Sequence, residues 1–505
     1  MSHPTDPADV LIVGGGSAGA VLAARLSENP DRSVVLLEAG TAYTNADYPA
    51  ALLNASKLAD PDYDWGYTSH ANPLSPQIPT PRGKVLGGSS AVNAGIALRP
   101  RPSDFARWAE EHGLADWTFA HVLPFFRDLE NTPTGADEFH GRTGPMPVRQ
   151  RADAELTPAQ RGFIEACVAR GFKQVADFNG AEQDGVGGQA LNVVDGVRQN
   201  TALVYLTPDV RDRPNLTVLG DVTVDRVLFR GTTATGVVTA DGTVHAAREV
   251  ILSAGTYGSA AILLRSGIGP AEDLAALGID LVADLPVGRR LQDHPFFHTI
   301  YALAPENLTM TPVLGSLLWT ASSESTGGQL DLQIVAAHPD EAPFSPTGGA
   351  FALSAALVGP ESVGTVRLAG RDPLAAPLID DNYLGTDRDR RRMLEGVKLA
   401  RDLARDPALA PYLAGRLIPA ELPDEDEDLI RFIQSNLAVY GHPTSTAPMG
   451  GPGDPWAVVD SRGAVNGLDA LRVVDASIIP HVPSTVTNLT TIMLAERIHR
   501  LVYAV

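Results

Sequence analysis

The sequence predicts an α/β fold with two discontinuous domains, one built on a Rossmann-like parallel sheet and one on an antiparallel sheet. Three observations support this prediction. A strand, a glycine-rich loop, a helix and a second strand follow one another near the N-terminus, the middle of the chain is rich in strand patterns, and α/β patterns return near the C-terminus. The chain has 505 residues, which is enough for about two to four domains of ordinary size.

The N-terminal unit contains a β-branched strand at residues 9–13, a helix at 20–27 and an apolar strand at 33–37. Between the first strand and the helix, Gly14, Gly16 and Gly19 match the pattern G-x-G-x-x-G. Glycines at these positions allow a tight turn, close approach of a pyrophosphate and close packing of the helix on the strand. The helix N-terminus offers free N–H groups and a positive partial charge to the phosphates.

Glu38 ends the second strand, 19 residues after Gly19, where a carboxylate can accept hydrogen bonds from ribose hydroxyls. A carboxylate at this place disfavours a 2′-phosphate and therefore argues against NADP. The motif predicts a site for FAD or NAD without separating the two. The alternative is a glycine-rich turn in some other α/β fold.

A second glycine cluster, GKVLGGSSAVN, occupies residues 83–93. Its small residues would let the backbone lie against a flat ring or a phosphate, whereas the alternative is an ordinary exposed loop. Two glycine-rich loops within the first hundred residues favour a large cofactor.

The remaining patterns predict further elements of both domains. One helix is predicted between Thr157 and Gly171, with Thr157 as the N-cap, Pro158 as the first helical residue and Gly171 as the C-terminal glycine. Alternating residues at 216–250 predict a β-meander, which leads into an apolar strand at 250–254. The other predicted elements are an apolar helix within 255–269, strands at 330–336 and 365–368, an Arg-rich helix at 387–404, a strand at 471–474 and a helix at 491–501.

Composition excludes several classes of partner. The formal net charge is −21, so nucleic acid and anionic membranes are not expected to bind.

The single cysteine, Cys167, lies in an apolar helical pattern that predicts a buried thiol, and no metal site is expected. No apolar run approaches the ~18 residues of a membrane span, and the short polar N-terminus predicts no signal peptide. A cytoplasmic protein is expected.

Five stretches spread over the whole chain resemble the glucose–methanol–choline (GMC) family of FAD-dependent oxidoreductases. They are residues 83–93, residues 253–269 with Ala260 in place of the usual proline, residues 287–294, residues 442–450, and residues 475–497. Agreement at five separated places is very specific.

The resemblance implies an FAD-binding domain (residues 1–130, 190–295 and 440–505) and a substrate-binding domain (residues 131–189 and 296–439) made of an antiparallel β-sheet with flanking helices. It also implies a set of FAD contacts at matching positions. These are Gly14, Gly16, Ser17, Ala18, Gly19, Glu38, Ala39, Leu86, Gly87, Asn93, Ala94, Gly95, Val222, Asp475, Ala476, Asn488 and Leu489.

Some members of the family attach FAD covalently through a histidine in the first of these stretches. This chain has no histidine between Arg82 and Arg99, and Val92 stands at that position. Noncovalent FAD is therefore expected.

Alcohol oxidation needs a base for the hydroxyl proton while a hydride moves to flavin N5. A neutral imidazole suits this task because its pKa lies near working pH. His442 matches the family's base, and Asn488 matches its partner, a donor to the alcohol oxygen. His294 is expected to be structural, His481 is the second candidate for the base, and Tyr440 either points into the substrate cavity or packs in the core.

The predicted function is therefore oxidation of a primary or activated secondary alcohol, with oxygen or another acceptor reoxidising the flavin. Two alternatives share the fold: a redox-silent lyase, such as a hydroxynitrile lyase, and a flavin-dependent decarboxylase. The pair of His442 and Asn488 favours alcohol oxidation. The sequence identifies neither the alcohol nor the oligomeric state, and residues 300–440 are expected to shape the substrate pocket.

Overall fold

The computed structural model of the chain describes residues 7–69 and 77–504. The polar segment 1–6, on which the prediction of no signal peptide rests, lies outside these ranges. The described chain contains twelve α-helices: α1 Gly19–Leu26, α2 Ala50–Leu53, α3 Pro102–His112, α4 Phe119–Leu129, α5 Pro158–Ala169, α6 Thr201–Tyr205, α7 Pro208–Arg211, α8 Gly255–Arg265, α9 Ala271–Ala276, α10 Asp387–Leu403, α11 Asp426–Ser435 and α12 Asn488–Val502.

The same ranges contain twenty-four strands, several of them only two residues long. They are β1 Ala8–Val13, β2 Val34–Leu37, β3 Thr68–Ser69, β4 Ile78–Pro79, β5 Glu130–Asn131, β6 Met146–Pro147, β7 Arg149–Gln150, β8 Gly185–Gly188, β9 Ala190–Leu191, β10 Val193–Val194, β11 Val197–Arg198, β12 Leu216–Leu219, β13 Val224–Arg230, β14 Thr233–Thr239, β15 Val244–Leu252, β16 Pro295–Leu303, β17 Leu314–Thr320, β18 Leu332–Ala337, β19 Ala350–Leu357, β20 Thr365–Arg367, β21 Leu378–Asp380, β22 Leu413–Ile418, β23 Ala438–Val439 and β24 Leu471–Val473.

The first sheet is parallel over the strands β12-β2-β1-β15-β24, and β15 also pairs antiparallel with β14, which pairs with β13. Its central strands are nearly continuous apolar runs, as expected where helices cover both faces of a sheet. β1, β2 and β15 end at Val13, Leu37 and Leu252, which are in register with one another. The residues that follow these strands therefore meet at the carboxyl edge of the sheet, where open α/β sheets bind ligands.

The predicted meander differs from the structure in one respect. The sequence suggests a separate apolar strand at 250–254, whereas β15 runs unbroken from Val244 to Leu252. Its first half pairs with β14, and its second half pairs with β1 and β24. One strand therefore links the meander to the parallel sheet, with a partly exposed first half beside β14 and a buried end between β1 and β24.

The second large sheet is antiparallel, in the order β22-β16-β19-β18-β17-β8, with β23 added beside β16. α5 and α10 pack on one face of this sheet. Alternation along β16 places Phe297 and Tyr301 in the core beneath these helices, while Phe296 belongs to the core on the other side. The mixed α/β fold with one parallel and one antiparallel sheet confirms the predicted fold class.

Two helices show how local sequence sets element ends. α5 begins after Thr157, whose Oγ accepts a hydrogen bond from the Gln160 backbone N–H at 3.2 Å, as its predicted N-cap role requires. The C-terminal helix α12 begins at Asn488, three residues before the predicted start. This difference places Asn488 in the first turn of a helix.

No helix in the described ranges is both long and apolar enough to cross a bilayer.

Candidate active site

A cavity of about 650 Å³ lies between the carboxyl edge of the parallel sheet and the helix-free face of the antiparallel sheet. Its size is ordinary for a small-molecule site. Most of the residues singled out in the sequence line it. These are Gly14, Gly16, Ser17, Ala18, Glu38, Ala39, Asn93, Ala94, Val222, His442, Asp475, Ala476 and Asn488.

The other five residues expected to contact FAD lie just behind this lining: Gly19, Leu86, Gly87, Gly95 and Leu489. Gly87 and Gly95 have positive φ angles of 100° and 69°, so they shape the turns that present their neighbours. The Leu86 carbonyl accepts a hydrogen bond from the Tyr48 hydroxyl at 2.7 Å, which holds the loop in place.

The two glycine-rich loops lie against each other at one end of the cavity. A Cβ on Gly19 would stand 1.8 Å from the Gly14 carbonyl oxygen, and a Cβ on Gly88 would stand 2.7 Å from the Gly16 Cα. Contacts this close between backbones require glycine. By contrast, a Cβ on Gly16 would meet no atom nearer than 3.6 Å, because this glycine borders the cavity.

Glu38 lies at the same end, where its carboxylate closes the first glycine loop. Oε2 accepts a hydrogen bond from the Gly15 N–H and Oε1 accepts one from the Gly40 N–H, both at 2.8 Å. Burial raises the pKa of Glu38 to about 7, although these two hydrogen bonds stabilise the ionised carboxylate and act to lower it. Backbone N–H groups therefore hold the carboxyl at the cavity edge, and the ribose contact expected from the sequence stays a prediction.

Two helices direct uncapped N-termini at this cavity. α1 follows Ala18 and α12 follows Thr487, and neither N-cap side chain accepts a hydrogen bond from the helix. Both N-cap residues line the cavity. Free N–H groups and the positive end of a helix favour anionic groups such as a pyrophosphate. Together with the glycine loops and Glu38, these termini fit FAD.

The Asp475 side chain holds together two segments that line the cavity. Oδ2 accepts hydrogen bonds from the Gly255 N–H and the Ser259 hydroxyl at 2.8 and 2.6 Å, and Oδ1 accepts two from Ser477 at 2.8 and 2.5 Å. Burial raises the pKa of this carboxyl. Because both oxygens are already used, the side chain joins the end of β24 to the start of α8, and only the backbone around it is free to meet a ligand.

His442 stands on the loop after β23 and lines the cavity near its middle. Its backbone N–H donates a hydrogen bond to Asp293 Oδ1 at 2.7 Å, and the same oxygen accepts one from the His294 N–H at 2.6 Å. Asp293 thus ties two histidine-bearing segments together. The Tyr440 ring lies 4.4 Å from that of His442, centroid to centroid.

The two histidines also meet through their rings, with 3.0 Å between the two Nδ1 atoms. One of these nitrogens must carry the proton. Burial lowers the pKa of His294 to about 3, against opposing interactions of the neutral ring's N–H with the Pro483 and Val358 carbonyls, and His294 Nε2 makes no hydrogen bond of standard geometry. We assign the His294 proton to Nε2 and the His442 proton to Nδ1, which leaves the lone pair of His442 on Nε2.

The electrostatic surroundings keep His442 neutral. Burial, the neighbouring His294 and the positive charge of Arg82 all hold the pKa of His442 well below its ordinary value. Arg82 donates a hydrogen bond to the Gly441 carbonyl at 3.0 Å, directly beside this histidine. A neutral imidazole with a free Nε2 can accept a proton from a hydroxyl group.

Asn488 provides the complementary donor. Its Oδ1 accepts a hydrogen bond from the Ser17 hydroxyl at 2.8 Å, which fixes the orientation of the amide. Its Nδ2 is buried and has no hydrogen-bond partner among the described residues. A buried, unsatisfied N–H₂ group in a cavity lining is costly unless a ligand oxygen accepts from it.

A pair of buried acids lies beneath the loop that carries His442. Burial raises the pKa values of Asp293 and Asp381, and the charge of Asp293 raises that of Asp381 further. Asp381 bonds to the Ser69 hydroxyl at 2.5 Å, whereas Asp293 accepts two backbone N–H bonds. Asp293 is therefore the ionised member of the pair and Asp381 the protonated one.

His481, the second candidate for the base, is absent from the described cavity lining. Its Nε2 lies 2.9 Å from Glu111, and its Nδ1 lies 3.1 Å from Gln292 Oε1. Ligand atoms of Glu111, His112 and His481 lie within 4.8 Å of one another, and His112 is also paired with Asp454 at 2.6 Å. Glu111 thus pairs with His481 and His112 with Asp454, and these two pairs connect α3 to the C-terminal segment.

Sequence reasoning missed several residues of the site. Arg82 is the cation beside His442, and His294, expected to be structural, contacts the His442 ring directly. Phe296 and His298 line the cavity from β16. The alternation of residues 295–303 could have identified this strand, but it does not show which face meets a ligand.

Known proteins were compared with the chain. The family described as GMC oxidoreductase matches residues 8–296 with its N-terminal part and residues 360–495 with its C-terminal part. Mitochondrial choline dehydrogenase of Mus musculus is 36% identical over 96% of this chain and 88% of its own length. Oxygen-dependent choline dehydrogenase of Pseudomonas aeruginosa (strain LESB58) is also 36% identical, over 97% of this chain and 93% of its own.

The crystal structure of pyridoxine 4-oxidase from Mesorbium loti has a TM-score of 0.89 and 34% identity, and the match covers 99% of both chains. Sequence and structure therefore agree over nearly the full length, which confirms the resemblance inferred from the five stretches. The chain belongs to the GMC oxidoreductase family and is an FAD-dependent oxidoreductase.

Proposed function

We propose that the protein oxidises the CH–OH group of an alcohol to an aldehyde or ketone, with His442 as the base and Asn488 as the donor to the alcohol oxygen. The observation that carries this proposal is the pairing of two unsatisfied groups in one cavity: a neutral imidazole with Nε2 free, and a buried amide N–H₂ without a partner. Bound FAD supplies the hydride acceptor.

Each group of the chain has a defined task in this proposal. His442 Nε2 takes the hydroxyl proton and becomes imidazolium, while Nδ1 stays bonded to His294. Asn488 Nδ2 donates to the alcohol oxygen and stabilises its alkoxide character. Ser17 holds the Asn488 amide, and Asp293 holds the backbone of the His442 loop. The positive charge of Arg82 favours alkoxide character at the same place.

The proposal also covers the cofactor-binding mode and the domains. FAD is held noncovalently, since Val92 lines the cavity at the position where some relatives carry a linking histidine.

The FAD-binding domain consists of residues 1–130, 190–295 and 440–505. The substrate-binding domain consists of residues 131–189 and 296–439. The sheets support this division, because the parallel strands lie within the first set and β8, β17, β18, β19, β22 and β23 within the second. A cytoplasmic location stays a prediction.

Oxygen or another acceptor takes the electrons from the flavin in this proposal. The proteins similar to this chain include one named as an oxygen-dependent dehydrogenase and one named as an oxidase. Their alcohols need not be shared, because those proteins are about one-third identical to this chain.

An anaerobic screen of primary and secondary alcohols tests the function directly. We expect at least one alcohol to bleach the flavin absorbance band, and admission of air then shows whether oxygen restores it. The proposal would be wrong if the flavin stayed oxidised with every alcohol while the protein converted a cyanohydrin. The protein would then be a lyase on this fold.

Acid precipitation tests how the flavin is held. We expect all of the flavin absorbance to appear in the supernatant after denaturation, because no histidine lies between Arg82 and Arg99 to form a covalent link. Absorbance at flavin wavelengths that stays with the washed pellet would contradict noncovalent binding.

A further inference from the structure

The antiparallel sheet presents a defined patch to the cavity above His442. We call this patch the roof; its members are Phe296, His298, Ile300, Val335, Ala352 and Ser354, all of which line the cavity. The pairing register explains why they lie together. His298 pairs with Ser354, which pairs with Val335, and Ile300 pairs with Ala352 in the next row on the same face. The roof is therefore an apolar surface with one polar pair.

That polar pair has an unused hydrogen-bonding atom. His298 Nδ1 and the Ser354 hydroxyl lie 2.9 Å apart, and burial lowers the pKa of His298, so the ring is neutral. Nε2 has no hydrogen-bond partner in the described part of the chain. His338, which also lines the cavity, differs: its Nε2 is bonded to Thr157 and its Nδ1 donates to the Ala350 carbonyl.

The serine hydroxyl can donate to Nδ1 or accept from it. In the first case His298 Nε2 carries a proton and donates; in the second it is an acceptor. The pair can therefore serve either a hydroxyl group or a ring nitrogen of a ligand. A site with a buried polar group of this kind discriminates strongly against ligands that leave the group unpaired.

Aromatic rings connect the pair to the base. His298 lies 4.6 Å from Phe296, Phe296 stacks on Tyr440 at 4.4 Å with 14° between their planes, and Tyr440 lies 4.4 Å from His442. These four rings form one continuous wall that runs from the roof to His442. Such a wall suits a flat aromatic ligand, which gains offset-stacked or edge contacts with it.

Charges in the cavity disfavour a cationic ligand. Among the described lining residues the carboxylates are Glu38 and Asp475, and backbone or hydroxyl donors already occupy both. Arg82 lines the cavity beside His442 with its positive charge, whereas the ionised Asp293 lies behind the lining. A quaternary ammonium alcohol would therefore meet a cation in the lining and no carboxylate there that lacks a donor.

We propose that the substrate is an uncharged aromatic carbinol that carries a hydroxyl group or a ring nitrogen, and that His298, oriented by Ser354, binds this second polar group. The proposal rests on the proposed function for the role of the carbinol at His442. It adds a specificity-determining residue on β16 and a chemical class of substrate.

Binding of non-oxidisable analogues to the holoenzyme tests the roof separately from turnover. Benzamide, 4-hydroxybenzamide and the three pyridinecarboxamides can be titrated against the flavin absorbance spectrum. We expect at least one hydroxylated or nitrogen-containing ring to bind about tenfold more tightly than benzamide, as one added hydrogen bond allows. In His298→Phe, which keeps a ring against Phe296, this ratio should fall to near one. In His298→Gln it should be largely restored.

The matching alcohols then connect binding to reaction. Benzyl alcohol, the hydroxybenzyl alcohols, the pyridylmethanols, 1-hexanol and choline are compared in anaerobic flavin reduction. The ratio of substituted to unsubstituted benzyl alcohol should exceed ten in wild type and collapse in His298→Phe, while choline should react least. A ratio unchanged in His298→Phe, or choline as the best substrate, would overturn the proposal. If the amides bind selectively but no alcohol reduces the flavin, the roof stands and the proposed function fails.

Discussion

Replacement of His442 by alanine is expected to leave FAD binding and fold intact and to slow anaerobic flavin reduction by about 10²–10⁴-fold. The reason is that His442 lines the cavity with an Nε2 assigned as unprotonated, whereas its neighbour His294 is fully buried and does not line the cavity. Rapid mixing of the holoenzyme with a good alcohol in the absence of oxygen isolates this half-reaction. Flavin content and melting temperature serve as controls for folding.

The pH dependence of the same step should report the base. Burial, His294 and Arg82 lower the pKa of His442, so the wild-type rate should be flat at neutral pH. It should fall only in acid well below the ordinary histidine value of about 6.5, where the imidazole becomes protonated and can no longer accept a proton. In His442→Ala this ionisation should disappear.

Asn488→Ala provides a graded comparison. It removes an orienting donor but not the base, so it should slow flavin reduction less than His442→Ala and retain the ionisation. A wild-type rate in His442→Ala would show that another group is the base.

The second large effect is expected at Gly19. A Cβ there would stand 1.8 Å from the Gly14 carbonyl oxygen, and neither atom belongs to a side chain that can turn away. Gly19→Ala should therefore force α1 from the first glycine loop, destabilise the protein by about 1–3 kcal/mol or more, and abolish FAD loading. The apoprotein melting temperature and the flavin content per chain measure the two effects.

Gly16→Ala is the matched control, with the same added methyl group two residues from the loop start. Its Cβ would meet no protein atom within 3.5 Å, since the nearest is the Gly88 Cα at 3.6 Å. The apoprotein should melt close to wild type, but FAD affinity should fall, because the methyl group would project where a pyrophosphate approaches the loop. Equal losses of apoprotein stability in both variants would contradict this account of the loop.

Much of the parallel sheet could be predicted from local sequence. β1, α1 and β2 each lie within one residue of the expected bounds, because a β-branched run, three glycines and a terminal carboxylate constrain one another. Helix α10 also matches closely, since an N-cap at Thr386 and an amphipathic pattern mark it. Such elements depend on neighbours close in sequence.

The site depended on contacts that no local pattern encodes. Asn488 belongs to the first turn of α12, but the polar residues Asn488 and Thr490 obscure the helical pattern before Thr491. The His442–His294 contact joins residues 148 positions apart. His298 looks like one polar residue in an alternating strand until the register places it opposite Ser354. Which face of that strand meets the cavity depends on where α5 and α10 pack.

The attachment of the last helix to the first one has a consequence for how the protein is made. Arg25 on α1 pairs with Glu496 on α12 at 2.9 Å, and Ser17 bonds to Asn488. The nucleotide-binding loop leaves the ribosome well before the helix that completes it, because Ser17 and Asn488 are 471 positions apart. At about 5–20 residues per second, synthesis of the stretch between them takes roughly 24–94 s. During that time the N-terminal unit lacks its partner helix, so we expect FAD to bind only after translation. A chain that terminates prematurely near residue 470 should therefore be unable to retain flavin.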